Sequence, residues 1–200
     1  MTHPNNGFNK AAPKQRTWTG VDALVVGGFV IVGALLLWGR GELIGRLVMG
    51  EDVLAPSPLM LSLLFATSAL TLLAGLCAAL TVQKPGAAFV GYTMSLILSY
   101  AFNGVLDLRV LVEVVAVGAV MEAVFFGYKY ARFDIYSGIL AGFAGAIARG
   151  LAGFIAIGFE VDYFATQFIS VLFQLVIAVV VVVPLAYFIA KAVRAVLRQQ

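Results

Sequence analysis

From Ile135 to Ile157 the chain reads IYSGILAGFAGAIARGLAGFIAI, and Arg149 is the one charged residue in that run. Twenty-three residues at 1.5 Å each make a helix of about 34 Å, enough to cross a hydrocarbon core of about 30 Å. Gly138, Gly142, Gly145, Arg149 and Gly153 stand at offsets of 0, 4, 7, 11 and 15, which is one stripe of an α-helix. Small residues in a stripe let membrane helices approach closely. Arg149 shares that stripe, so it is expected to point into a helix bundle and away from lipid.

The rest of the chain repeats the pattern. Of 200 residues, 62% are apolar and 12% charged, against about 45–50% and about 25% in a soluble domain. Further spans are expected near Val21–Trp38, Leu59–Val82, Ala87–Asn103, Arg109–Tyr128 and Tyr163–Ala190, each long enough to cross or nearly cross a bilayer. The expected fold class is an all-α integral membrane protein with about six transmembrane helices in one bundle. Residues 1–17 form a cytoplasmic tail, and 18–200 a single transmembrane domain with an extracellular connection at 39–58. The polar start with Lys10, Lys14 and Arg16 imitates a signal peptide, but no small-residue cleavage site stands out after the first apolar run, so that run reads as an uncleaved span.

Lysine and arginine set the expected orientation. Lys10, Lys14, Arg16, Lys84, Lys129, Arg132, Lys191, Arg194 and Arg198 mark one side, nine of thirteen basic residues. By the positive-inside rule this side is cytoplasmic and both termini lie inside, in the plasma (inner) membrane. The opposite connections hold Glu42, Glu51, Asp52, Asp107, Glu160 and Asp162 against Arg40 and Arg46, an acidic outer surface. The basic residues cap apolar runs and form no continuous patch, so nucleic acid is not an expected partner. Cys77 is alone, which excludes an intramolecular disulfide, and reads as a small packing residue.

An ionisable group inside a span costs about 2.5–3.5 kcal/mol on insertion scales and is therefore a functional candidate. Glu113 lies sixteen residues before Lys129, and Arg149 fifteen after Asp134, both roughly 22–24 Å from the basic side. Tyr100 and Gln174 fall at roughly 24–26 Å by the same count, with Asn103 slightly further out. Glu113 either pairs with Arg149, or with Arg109 one turn away, to hold helices together, or these groups line a solute cavity. Glu122 is nine residues from Glu113, half a turn round the helix, so the two do not face one pocket. Ligand contact and a conformational or subunit-contact role both remain open for it. Ala23 and Gly27, four apart on the first span, form a small-residue pair suited to a partner helix.

The single histidine, His3, lies in the tail, which leaves a histidine-based hydrolase or metal site in the membrane without an imidazole. No phosphate-cradling glycine loop with its lysine occurs, so ATP hydrolysis would belong to other subunits. No cofactor is expected.

The string Gln83-Lys84-Pro85-Gly86-Ala87-Ala88, followed by Gly118, Glu122, Phe125 and Tyr130, resembles the S components of energy-coupling factor (ECF) transporters, in particular the YkoE-like group. The resemblance runs roughly from Ala74 to Ala148. Proline suits the first turn of a helix because it has no amide hydrogen to lose there, and Lys84 is expected to anchor that end at the headgroups. The sequence departs from the pattern at Gly91 and Tyr92, where relatives carry an acidic residue, and lacks a glutamine before Glu122. The resemblance implies a binding subunit that is not an enzyme and captures a thiamine precursor or thiamine from outside. It implies a transmembrane coupling subunit and two cytoplasmic ATPases as partners, with Ala23 and Gly27 at the coupling contact. An ion-coupled carrier using Glu122, or a non-transporting assembly subunit, stands as the alternative.

Overall fold

The structure is a computed structural model that describes residues 17–48, 67–157 and 161–199, and among them all regular structure is helical. Helix α1 spans Gly20–Val48, α2 Leu73–Val82 after a 3₁₀ segment Thr67–Leu72, α3 Ala87–Phe102, α4 Leu108–Gly127 and α5 Ile135–Ile157. Helix α6, Val161–Ile177, runs through a π-helical segment, Ala178–Val182, into α7, Val183–Leu197. Four stretches are long and apolar enough to cross a membrane: Gly20–Glu42, Leu108–Gly127, Ile135–Ile155 and Phe168–Leu197. Thr67–Val82 and Ala87–Phe102 are shorter apolar helices.

Helix α2 is the axle of the bundle. Every residue from Ala74 to Val82 is buried, as befits a helix that is apolar all round, and α1, α3, α5 and α7 pack about it. In hydrocarbon no solvent drives helices together, so contact depends on van der Waals fit and close backbones. The fit is tight at glycine. A Cβ on Gly91 of α3 would fall 2.6 Å from Ala78 Cβ and 3.0 Å from the Ala74 carbonyl oxygen. Of the stripe on α5, Gly138, Gly142 and Gly145 meet Val183, Leu76, Leu80, Leu72 and Met121, whereas Gly153 faces open space.

Helix α1 does not stop at Trp38. It continues to Val48, so the first ten residues of the connection expected at 39–58 are helical, and 49–58 lie outside the described residues, as does the tail through residue 16. The reason is local: Glu42, Leu43, Ile44, Arg46 and Leu47 are good helix formers, and no proline intervenes before Pro56. The π segment has an equally local cause in Pro184, which lacks the amide hydrogen that the Val180 carbonyl would receive and crowds it, so the helix widens just ahead of the proline.

The turn between α2 and α3 gathers three helices. Gln83 and Gly86 hold positive φ of 56° and 85°, and Gly86 takes that conformation without a Cβ penalty. Lys84 is buried, in correction of the expected headgroup anchor: its ammonium pairs with Asp22 of α1 and donates to the Thr17 carbonyl at 2.8 Å. Trp18 Nε1 donates to the Pro85 carbonyl at 2.9 Å. A lysine this deep is satisfied by a carboxylate and a carbonyl instead of water.

Gly91→Val is expected to lower the thermal midpoint of the detergent-solubilised protein by several degrees, about 2 kcal/mol of overpacking. Gly28→Ala, where a Cβ meets no atom within 4 Å, is expected to stay within about 0.5 kcal/mol of the parent. Equal effects of the two substitutions would contradict this packing.

Candidate functional site: a buried arginine joining three helices

Arg149 of α5 is the focus. Its Nη1 pairs with Glu113 Oε1 of α4, and its Nη2 donates to the Tyr100 hydroxyl of α3 at 3.1 Å. The two charged side chains are only 16% and 19% exposed, so each depends on the other in a medium that solvates ions poorly. Glu113 thus turns to Arg149 and not to Arg109, which is exposed on its own helix. The similar depths of Glu113, Arg149 and Tyr100 become contact here.

Two further groups complete the cluster, and both escape a reading of the sequence. Arg40 of α1 is near enough to feel the charge of Arg149 and the hydroxyl of Tyr100, and its Nε donates to Thr67 Oγ1 at 2.9 Å. Counting α1 as ending at Trp38 places Arg40 in a loop, and only the helix continuing past it brings the side chain to the bundle. Tyr92, one of the two departures from the family pattern, is fully buried, wedged where a Cβ on Gly75 would meet its Cβ at 2.8 Å and one on Gly118 its ring at 3.3 Å. Its hydroxyl lies beside the Arg149 guanidinium, within reach of a polar interaction with it, and makes no hydrogen bond of regular geometry among the described residues. The small residues Gly75 and Gly118 are the available signal: space vacated on two helices is filled from the third.

The remaining candidates are placed apart or left unpartnered. Gln174 of α6 is 4% exposed, and its Nε2 has no partner among the described residues; Thr93 Oγ1 is in the same condition. Buried polar atoms without a protein partner mark places where water or a solute completes the bonding. Asn103 turns back to its own helix, donating to the Ser99 carbonyl at 2.8 Å beside Gly41 of α1. Glu122 sits at the other end of α3, accepting from the Gly86 amide at 2.6 Å and the Phe89 amide at 3.1 Å. Burial, and then the Glu122 carboxylate beside it, push the Tyr130 phenol up to about 12. Ala23 is exposed and Gly27 partly so, with open space where a Gly27 Cβ would point.

A family model described as "ABC-type cobalt transport system, permease component" matches residues 21–148. The chain belongs to this family. That range takes in Asp22, the turn at Gln83–Gly86, Tyr92, Tyr100, Glu113 and Glu122, and stops one residue short of Arg149. The fold is similar to that of a solved structure titled "Crystal structure of an S-component of ECF transporter", at a TM-score of 0.70 and 19% identity over 90% of this chain and 86% of the other. No curated protein shows a significant match. With its four long apolar helices and its family, the chain is a multi-pass membrane protein.

Arg149→Met is expected to cost about 3 kcal/mol in thermal unfolding because it strands a buried Glu113 carboxylate, whereas adding Glu113→Gln to it should restore part of the loss. A double variant as unstable as the sum of the singles would show that the pair is not coupled.

Proposed function

We propose that the chain is the substrate-binding S component of an ECF-type importer, capturing a small heterocyclic nutrient from outside and carrying out no covalent chemistry itself. The observation that carries this reading is the Arg149–Glu113–Tyr100 cluster with the Tyr92 hydroxyl beside it. Charged and hydrogen-bonding groups converge where hydrocarbon would exclude them, and the Tyr92 hydroxyl makes no hydrogen bond of regular geometry there. The likeness in fold to an ECF S component supports the same reading. So does the sequence resemblance to the YkoE-like group, which suggests a thiamine precursor or thiamine as the cargo.

The family description names cobalt, and the chemistry of the cluster bears on that. Among the described residues no group of three or more His, Cys, Asp or Glu side chains gathers to hold a metal ion. The cluster pairs the Arg149 guanidinium with one carboxylate and a phenol, and the Arg40 guanidinium is near enough to Arg149 to feel its charge, a poor donor set for a divalent cation and a good one for an organic ring with hydrogen-bonding edges. We therefore place the cargo among organic nutrients.

In this reading both ends of the chain are cytoplasmic and the membrane is the plasma membrane. The partners are a transmembrane coupling subunit and two cytoplasmic ATPases. The exposed face of α1 around Ala23 and Gly27 offers the coupling subunit a close backbone approach. ATP hydrolysis in the partners then shifts the loaded subunit to a state that binds cargo less tightly, since a population shift requires differential affinity.

The test is thermal unfolding of the purified protein with thiamine, its pyrimidine precursor, other water-soluble vitamins and Co²⁺. A ligand that binds only the folded state stabilises it by about 2.7 kcal/mol at a hundredfold excess over Kd. One organic hit, lost in Arg149→Ala, is the expected outcome. Stabilisation by Co²⁺ alone would overturn the choice of cargo, and no hit would point to an assembly subunit.

A further inference from the structure

Arg149, Glu113 and Tyr100 sit on three separate helices, and packing by small residues does not by itself fix their relative height. At Gly118 of α4 the backbones come close enough that a Cβ would meet Thr93 Oγ1 at 2.5 Å and the Phe89 ring at 3.2 Å. Contacts of this kind set the distance between α3 and α4 and favour one register, but they are non-directional, and a hydrogen bond discriminates height more sharply. A directional contact completes the register.

Glu122, one turn beyond Gly118 on the same face of α4, supplies it. Its two carboxylate oxygens receive the amides of Gly86 and Phe89, which are among the donors that the start of any helix leaves without an intrahelical acceptor. Helix α3 has no side-chain cap of its own, since its capping position is Gly86 at φ 85°. The cap therefore comes from the neighbouring helix, and a carboxylate favours the positive end of the helix dipole. From this fixed point the cluster is measured out along two rods. Tyr100 lies fourteen residues, about 21 Å, up α3 from Gly86, and Glu113 nine residues, about 13.5 Å, up α4 from Glu122. Side chains lean toward the N-terminus of their own helix, so on these two antiparallel helices Tyr100 leans down and Glu113 up, and they meet at adjacent nitrogens of Arg149. Slippage by a single turn, 5.4 Å, exceeds anything a hydrogen bond of 3.1 Å to Tyr100 can absorb.

We propose that Glu122 is a positioning residue for the cargo site: by capping α3 from α4 at the basic end of the bundle, it sets the axial register that brings Tyr100 and Glu113 to Arg149 at the other end. This deepens the S-component reading and rests on it for the word cargo, while the register itself is a property of the empty protein. Glu122 then touches no solute, and its effect on binding passes through the height of α3.

The experiment is a double-mutant cycle read in three backgrounds without any ligand. Thermal midpoints of the full chain in detergent are measured for the parent, Glu113→Gln, Arg149→Met and the double variant, which gives the non-additivity of the pair. The cycle is repeated in Glu122→Ala and in Ile189→Ala, a control that loosens the packing of α7 on α1 and α2, away from α5. The expected result is that the non-additivity falls to less than half in Glu122→Ala and is unchanged in Ile189→Ala. A merely local cap would lower every midpoint in the Glu122→Ala series by the same amount and leave the non-additivity intact, which would overturn the proposal. A fall of equal size in Ile189→Ala would overturn it too, since any destabilisation would then loosen the pair. Should Glu122→Ala fail to fold, Glu122→Gln keeps one acceptor oxygen, and an unchanged cycle there overturns the proposal equally. Because no nutrient enters the cycle, its failure is distinct from the absence of a hit in the ligand panel.

Discussion

A guanidinium cannot be left unpaired in hydrocarbon, and much of this bundle is arranged around that constraint. Arg149 must leave the lipid face of α5, which sets the rotation of that helix. It must find a counter-charge, which brings Glu113 on α4, and its remaining donors need acceptors, which brings Tyr100 on α3. Three helices are thereby tied at one level. With Arg40 beside them, the cluster reaches α1 as well.

Close packing makes the tie possible. Glycines on α2, α3, α4 and α5 let backbones approach to distances at which a Cβ would collide, and the space they release is taken up by Tyr92, Met121 and Val183. The polar contacts cluster at two levels of the bundle. At one end lies the Arg149 group; at the other, Lys84 with Asp22, Trp18 with Pro85, and Glu122 with the amides of α3. Between them the core is mostly apolar and dispersive, with Thr93 and Ser95 of α3 as buried polar exceptions. Directional bonds at the ends and non-directional packing between them is a division that suits a membrane bundle whose polar groups must keep their geometry while its surface faces lipid.

Several of these features can be read from the residues alone. Apolar run lengths locate the helices, because a span is set by bilayer thickness, and depth counting puts Glu113, Arg149 and Tyr100 at one level because helical rise is constant. The glycine stripe turns Arg149 inward. The features that escape such a reading share a cause: they depend on what lies opposite. Whether Gln174 meets a partner and whether Lys84 meets headgroups or Asp22 are each decided by a neighbouring helix, whereas Asn103 is taken by the Ser99 carbonyl of its own helix. Arg40 is hidden differently, by the assumption that a charged glycine-flanked segment ends a span, when nothing in 39–48 breaks a helix.

The solvent, the class of element and the height of each polar group thus follow from the order of the residues, since hydrophobic length and helical rise are properties of one segment at a time. Which groups meet is settled only when the helices pack. Pairing requires rotation and register between helices distant in the chain, such as the thirty-six residues separating Arg149 from Glu113 and Glu122 from Gly86. Those are set by shape at glycine contacts and by directional bonds at the helix ends, neither of which exists until the bundle has assembled.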